Sequence, residues 1–217
     1  MTNPLDFVLH LDKHLQSLVE KEGAWTYLIL FGVIFAETGL VILPFLPGDS
    51  LLFVTGALAA KGIPLNLFLL FLCFAAAAII GDSVNFEIGK RLGPKLFKGK
   101  LLNPNHLQQT EDFFKKHGSK TIVLARFVPI VRTFAPFVAG TGKMTYGQFI
   151  AYNLVGGLLW VAAFFFGGYF FGNVPFIKNH FVIVVGVIIV LSLVPAVYEL
   201  VKARRGSGTK PAHAGDA

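Results

Sequence analysis

Apolar runs broken by charge and proline constrain this 217-residue chain more than any other feature. Residues 24–60 are mostly apolar, yet Glu37 interrupts the first part and Pro44-Phe45-Leu46-Pro47-Gly48 divides the run. About twelve residues, 49–60, then remain before Lys61-Gly62. At about 1.5 Å per residue they reach roughly 18 Å, short of a hydrocarbon core of about 30 Å. The prolines also free backbone groups that lipid cannot satisfy. The block therefore reads as a re-entrant hairpin, buried in protein or facing a wet cavity, rather than as two crossings. Residues 119–142 repeat the grammar, with Arg126, Pro129, Arg132, Pro136 and Gly140 interrupting apolar sequence.

Three stretches carry apolar runs long enough to cross a bilayer: 65–88, 146–171 and 176–201. A short polar helix is expected over 106–117. Residues 5–22 are amphipathic, with Leu11, Leu15 and Leu18 on one face, and form a helix that lies on the membrane surface or packs against the bundle. The expected organisation is an amphipathic N-terminal helix (1–23), one transmembrane domain (24–201) and a disordered basic tail (202–217). The fold class is an all-α membrane protein. A hairpin followed by a long span occurs twice, and the hairpins enter from opposite faces. That makes an inverted repeat of two opposed re-entrant hairpins with about three transmembrane helices. Direct sequence identity between the halves is weak.

Composition agrees: 54% of residues are hydrophobic and 14% charged, against about 25% charged in soluble proteins. The net charge of +7 does not point to nucleic acid, because eight Lys/Arg fall in 90–120 and four in the tail. The positive-inside rule makes both segments, and the C-terminus, cytoplasmic. Residues 1–23 carry two lysines and four acids and fall on the outer side. The first 22 residues lack the pattern of a cleavable signal peptide, so the later apolar segments are expected to act as insertion signals. Cys73, the only cysteine, reads as a small hydrophobe. His10 and His14 share helical spacing but have no further ligand set and read as solvated. With no H-E-x-x-H, no Walker loop and no Ser/His/Asp set, no metal, cofactor or enzymatic activity is expected. Nothing in the sequence sets the oligomeric state, and a homo-oligomer stays open.

Glu37, Asp49, Asp82, Arg126 and Arg132 carry the chemistry. At the bilayer centre each costs about 2.5–3.5 kcal/mol, so five left unpaired would cost roughly 12–18. They must be paired, hydrated, neutralised or shallow. The acids lie in the first repeat and the arginines in the second, so hairpins meeting tip to tip would bring opposite charges together. One reading is structural: buried ion pairs that dock two hairpins. The other is a path for protons and an anionic headgroup. A carboxylate in a low-dielectric cavity can load and release a proton near neutral pH, and an arginine fork suits phosphate. Six residues would split Arg126 and Arg132 across a straight helix, but Pro129 bends the chain between them. Asp82 and Asn85 share a face near the end of their span and read first as a hydrated, snorkelling pair. Asn153, Gly156 and Trp160 read mainly as helix packing, with Asn153 a candidate hydrogen-bond partner for the charges.

The run Glu37-Thr38-Gly39…Pro44-Phe45-Leu46-Pro47-Gly48-Asp49-Ser50-Leu51-Leu52 resembles the first signature of the bacterial DedA family. Arg126-Phe127-Val128-Pro129-Ile130-Val131-Arg132-Thr133…Pro136…Ala139-Gly140 resembles its second. The resemblance covers about residues 20–175 and extends to the eukaryotic VTT-domain lipid scramblases. It implies an inner-membrane protein with two opposed re-entrant hairpins. It also implies envelope maintenance, transport dependent on the proton-motive force, and return of undecaprenyl phosphate or related phospholipids across the bilayer. Glu37 and Asp49 match the family's essential acids, and Arg126 and Arg132 its essential arginines. The resulting expectation is a bacterial inner-membrane lipid-carrier translocase, its arginines holding an anionic phosphate headgroup while the acids handle protons. The alternatives are a proton- or sodium-coupled exporter of small cations or drugs, and a non-transporting scaffold.

Overall fold

The computed structural model describes residues 24–39, 48–60, 65–98, 104–172 and 174. The expected N-terminal helix, the Pro44–Pro47 turn, the last span (176–201) and the basic tail lie outside these residues. Among the described residues the regular structure is helical throughout. Helix α1 is Ala24–Gly39, α2 Gly48–Ala60, α3 Leu67–Lys98 and α4 Pro104–His117. A 3-10 turn, Gly118–Lys120, leads into the short α5, Thr121–Ala125. Then come α6, Pro129–Val138, a wide turn over Ala139–Lys143, and α7, Tyr146–Gly172.

Length sorts these helices. The 27-residue segments Leu67–Gly93 of α3 and Tyr146–Gly172 of α7 contain 18-residue windows of mean hydropathy 2.3 and 1.9, long and apolar enough to cross a bilayer. With 16 and 13 residues, α1 and α2 reach only about 24 and 20 Å. The exposed faces are apolar too: Trp25 and Leu28 on α1, Phe68 and Leu69 on α3, Leu158 and Leu159 on α7. A soluble protein would hide so much contiguous apolar surface.

One expectation needs correcting at the end of α3. The span expected to end at residue 88 does not stop there, and the helix continues through the basic residues to Lys98. Lys90, Arg91 and Leu92 are good helix formers, so charge alone did not mark a boundary. The polar helix expected over 106–117 is α4, which starts two residues earlier.

The short helices divide between the two long ones. Helix α1 lies along α3, but α2 parts from α1 and lies along α7. The second block does likewise. Helix α5 packs on α7, whereas α6 and the turn after it pack on α3. Each block thus keeps its first arm on its own long helix and lends its second arm to the other's. Glycine makes the loan close. Cβ atoms at Gly56 and Gly168 would overlap the carbonyls of Phe165 and Phe53, and at Gly89 and Gly140 those of Phe137 and Phe86. The pairing is reciprocal. Four F-x-x-G segments (53–56, 86–89, 137–140 and 165–168) cross two by two, each glycine against the carbonyl three residues before its partner. Small residues at such crossings let backbones touch where lipid supplies no hydrophobic drive.

Two apolar clusters result. Phe86, Phe137 and Phe149 centre one, with Phe86 and Phe149 stacked at 4.5 Å. Phe74, Trp160 and Phe165 centre the other, with Phe74 and Phe165 edge-to-face at 5.8 Å. Along α3, Asp82 and Asn85 fall between residues of the two clusters; along α7, Asn153 does. Polar chemistry occupies the seam.

Candidate functional site

The seam is built where helices stop. Glu37 sits in the last turn of α1, two residues from its end. Asp49 is in the first turn of α2, where an acid suits the positive end of the helix dipole. Gly48 beside it is required by space, since a Cβ there would occupy the position of the Glu37 carboxylate. In the second block the chain turns extended at Val128 (φ −119°, ψ 105°), and α6 begins with Pro129 in its first turn. Arg126 and Arg132 therefore lie on either side of a break rather than on opposite faces of one straight helix. Further along, Pro136 has no N–H to return to the Arg132 carbonyl, and its residue walls the seam.

All five charged residues meet. Arg126 pairs with Asp82 of α3 through Nη2 and donates to Asn153 Oδ1 of α7 at 2.6 Å. Asn153 in turn donates from Nδ2 to the Ile79 carbonyl at 3.0 Å. Arg132 pairs through Nη2 with Glu37 and through Nη1 with Asp49 Oδ1 at 2.7 Å. The same Asp49 oxygen accepts the Trp160 indole N–H at 2.8 Å. The Cζ atoms of Arg126 and Arg132 lie 5.8 and 5.4 Å from the Trp160 ring centroid, within cation–π range. Glu37, Asp82, Arg126, Arg132, Pro136 and Trp160 line a cavity of about 20 Å³, about enough for a single water. Arg126 Nε is buried on its edge without a protein partner. Three carboxylates face two guanidiniums.

The structure corrects the reading of Asp82 and Asn85. Neither is a hydrated pair at a helix end: both are buried, Asn85 completely. Asp82 is held by Arg126, and Asn85 Nδ2 donates to the carbonyls of Thr38 (3.2 Å) and Thr133 (2.9 Å). These residues directly follow Glu37 and Arg132, so one amide ties the ends of α1 and α6 together. Trp160, read chiefly as packing, instead touches both ion-pair centres. The available signal was its spacing: Asn153, Gly156, Gly157 and Trp160 follow one helical stripe that faces Arg126. Gly140 belongs to a helix crossing rather than to the cavity. No group of three or more His, Cys, Asp or Glu suited to a metal occurs among the described residues.

Comparison with known proteins gives a consistent result. The VTT domain family model matches residues 46–170. The protein DedA of Escherichia coli K12 is 51% identical over 207 residues, covering 94% of both chains. An uncharacterized membrane protein of Mycobacterium tuberculosis is 40% identical over 183 residues, 82% of this chain and 80% of its own. The inner membrane protein YghB of Escherichia coli K12 is 35% identical over 178 residues, 81% and 78% of the two chains. No solved structure matches significantly. A domain match across more than half the chain, with a relative identical at half its positions over nearly its full length, makes this a bacterial membrane protein of the DedA family.

Proposed function

We propose that this protein is a translocase of the bacterial inner membrane that carries an anionic phosphate headgroup, such as that of undecaprenyl phosphate, across the bilayer in exchange with protons. The observation that carries the reading is the pairing of Glu37, Asp49, Asp82, Arg126 and Arg132 where four helix ends converge, with all but Asp49 lining one small cavity. Membrane-embedded charge is expensive, and sites that keep it usually move ions, protons or charged substrates. The arginine forks are occupied by carboxylates. A phosphate could take those positions once the acids bind protons, with the lipid tail left in the bilayer. At about 20 Å³ the cavity has no room for a headgroup; this arrangement is the closed one, and transport requires the helix ends to part. The shared-arm packing supports two opposed re-entrant hairpins, an inverted repeat, with the C-terminus in the cytoplasm. No covalent step is part of this reading, and the protein would act as a carrier rather than an enzyme.

The test is movement of undecaprenyl phosphate in proteoliposomes, with and without a pH gradient, comparing wild type with Glu37→Gln and Arg132→Ala at matched reconstitution. Gradient-stimulated movement that both variants lose is the expected result. A folded wild type that moves no lipid would overturn it. The excess of one carboxylate over the guanidiniums favours a second reading, proton- or sodium-coupled export of a small cation. In that case the variants would lose cation or drug tolerance while lipid movement stayed at background.

A further inference from the structure

Trp160 makes contacts that filling a core does not require. It is fully buried on α7, and Asp49, Arg126 and Arg132 reach it from α2 and from both sides of the chain break before α6. One turn earlier, Gly156 and Gly157 leave space for the Arg126 side chain: a Cβ at Gly156 would lie 3.2 Å from its Cδ and Nε. Both arginines thus approach one indole from the hairpin of its own block, and Asp49 from the other. An arginine that leans on an aromatic ring keeps its in-plane N–H donors free for a carboxylate or a phosphate. Those donors now hold Glu37, Asp49 and Asp82.

We propose that Trp160 is a positioning residue that keeps the Arg126 and Arg132 guanidiniums side by side on its ring, so that both can turn from their carboxylates to one phosphate headgroup. A guanidinium released from its acid would otherwise spread over many rotamers, and ordering it again would weaken headgroup binding. The ring limits that loss, because its attraction is not consumed when the counter-ion changes. The indole N–H has a matching task. It shares Asp49 Oδ1 with Arg132, so Asp49 stays tethered when Arg132 lets go and is at hand when the headgroup leaves. Trp160 matters in this way only if the arginines hold a headgroup, as proposed above.

Trp25 and Trp160 are the two tryptophans, and Trp25 is exposed at the start of α1, about three turns before Glu37. Trp25→Phe therefore leaves Trp160 as a single fluorescent reporter in the full chain. Titrating this variant in micelles with a polyprenyl phosphate should change the emission saturably. The matching polyprenol should not, and Arg132→Ala should abolish the response. In proteoliposomes, Trp160→Leu should raise the lipid concentration for half-maximal movement about tenfold and Trp160→Phe, which keeps a ring, about threefold, with smaller changes in maximal rate. Silent emission in a protein that moves the lipid would overturn the inference. So would equal effects of Phe and Leu, which would make Trp160 a volume filler. If the wild type moves and binds no phosphate lipid, the headgroup reading falls and this one with it. If Arg126→Ala and Arg132→Ala stop movement but both Trp160 variants match wild type, this one falls alone.

Discussion

Two ion-pair centres lie against one tryptophan, and they are built differently. Around Arg126 the account is one to one: a single carboxylate, Asp82, and one amide, Asn153, with both charged side chains 7% exposed or less. Around Arg132 two carboxylates share one guanidinium, and Arg132 and Asp49 are 17% and 30% exposed. In this closed arrangement the sealed pair holds helices in register, and Arg126 would leave Asp82 only for a headgroup that replaces it. A crowded, partly open group can lose one partner and keep the other. The first centre anchors the seam, and under the proposed carrier function the second is where exchange would begin.

The comparison breaks if the two centres respond alike to mutation. The largest effect should come from the sealed one. Asp82→Ala or Arg126→Ala strands a buried charge and should cost about 3–5 kcal/mol, read as lost folded protein and a lowered unfolding temperature in detergent. Replacing both with leucine should recover much of that stability while lipid movement stays absent. Asp49→Ala is the contrasting case. Arg132 still has Glu37, so the loss should be about 1–2 kcal/mol, with near-normal abundance but failed transport. Asn85→Leu should fall between them: it removes the amide that bridges the Thr38 and Thr133 carbonyls, for about 1–3 kcal/mol, and a wild-type unfolding temperature would refute the clamp. Smallest of all, Arg91→Ala removes an exposed partner of Glu87 and should change stability by about 0.5 kcal/mol or less. A large effect there would show that detergent, not burial, governs the series.

Much of this was legible in the chain. The prolines and charges inside apolar runs marked the broken segments, and the cost of burying charge made a meeting of one block's acids with the other's arginines one of the ways to offset it. Helix α7 was plain from its uninterrupted length. Asp82 was misjudged because helical spacing tells which residues share a face, not what that face meets. Near the end of the span expected over 65–88 it seemed close to the water, yet α3 runs on to Lys98 and carries it inside. Trp160 was missed for a related reason: an indole in an apolar span looks like packing until its partners arrive from distant sequence. The lending of second arms was hidden because pairing across blocks leaves no local mark. The four F-x-x-G segments did carry it, but only as a pattern whose partners had to be found in space.

Those crossings also limit how the molecule can move. Where two backbones touch with no side chain between them, sliding either helix by a turn drives a bulky residue into the other's carbonyl, whereas tilting about the contact displaces little. Gly56 with Gly168 and Gly89 with Gly140 thus act as a pair of fulcrums, one for each lent arm. An arm that rocks on its fulcrum swings its inner tip, and the inner tips carry Asp49 and Arg132. A small tilt of α2 or α6 would draw acid from arginine and widen the seam, while the fulcrums themselves stay closed to water.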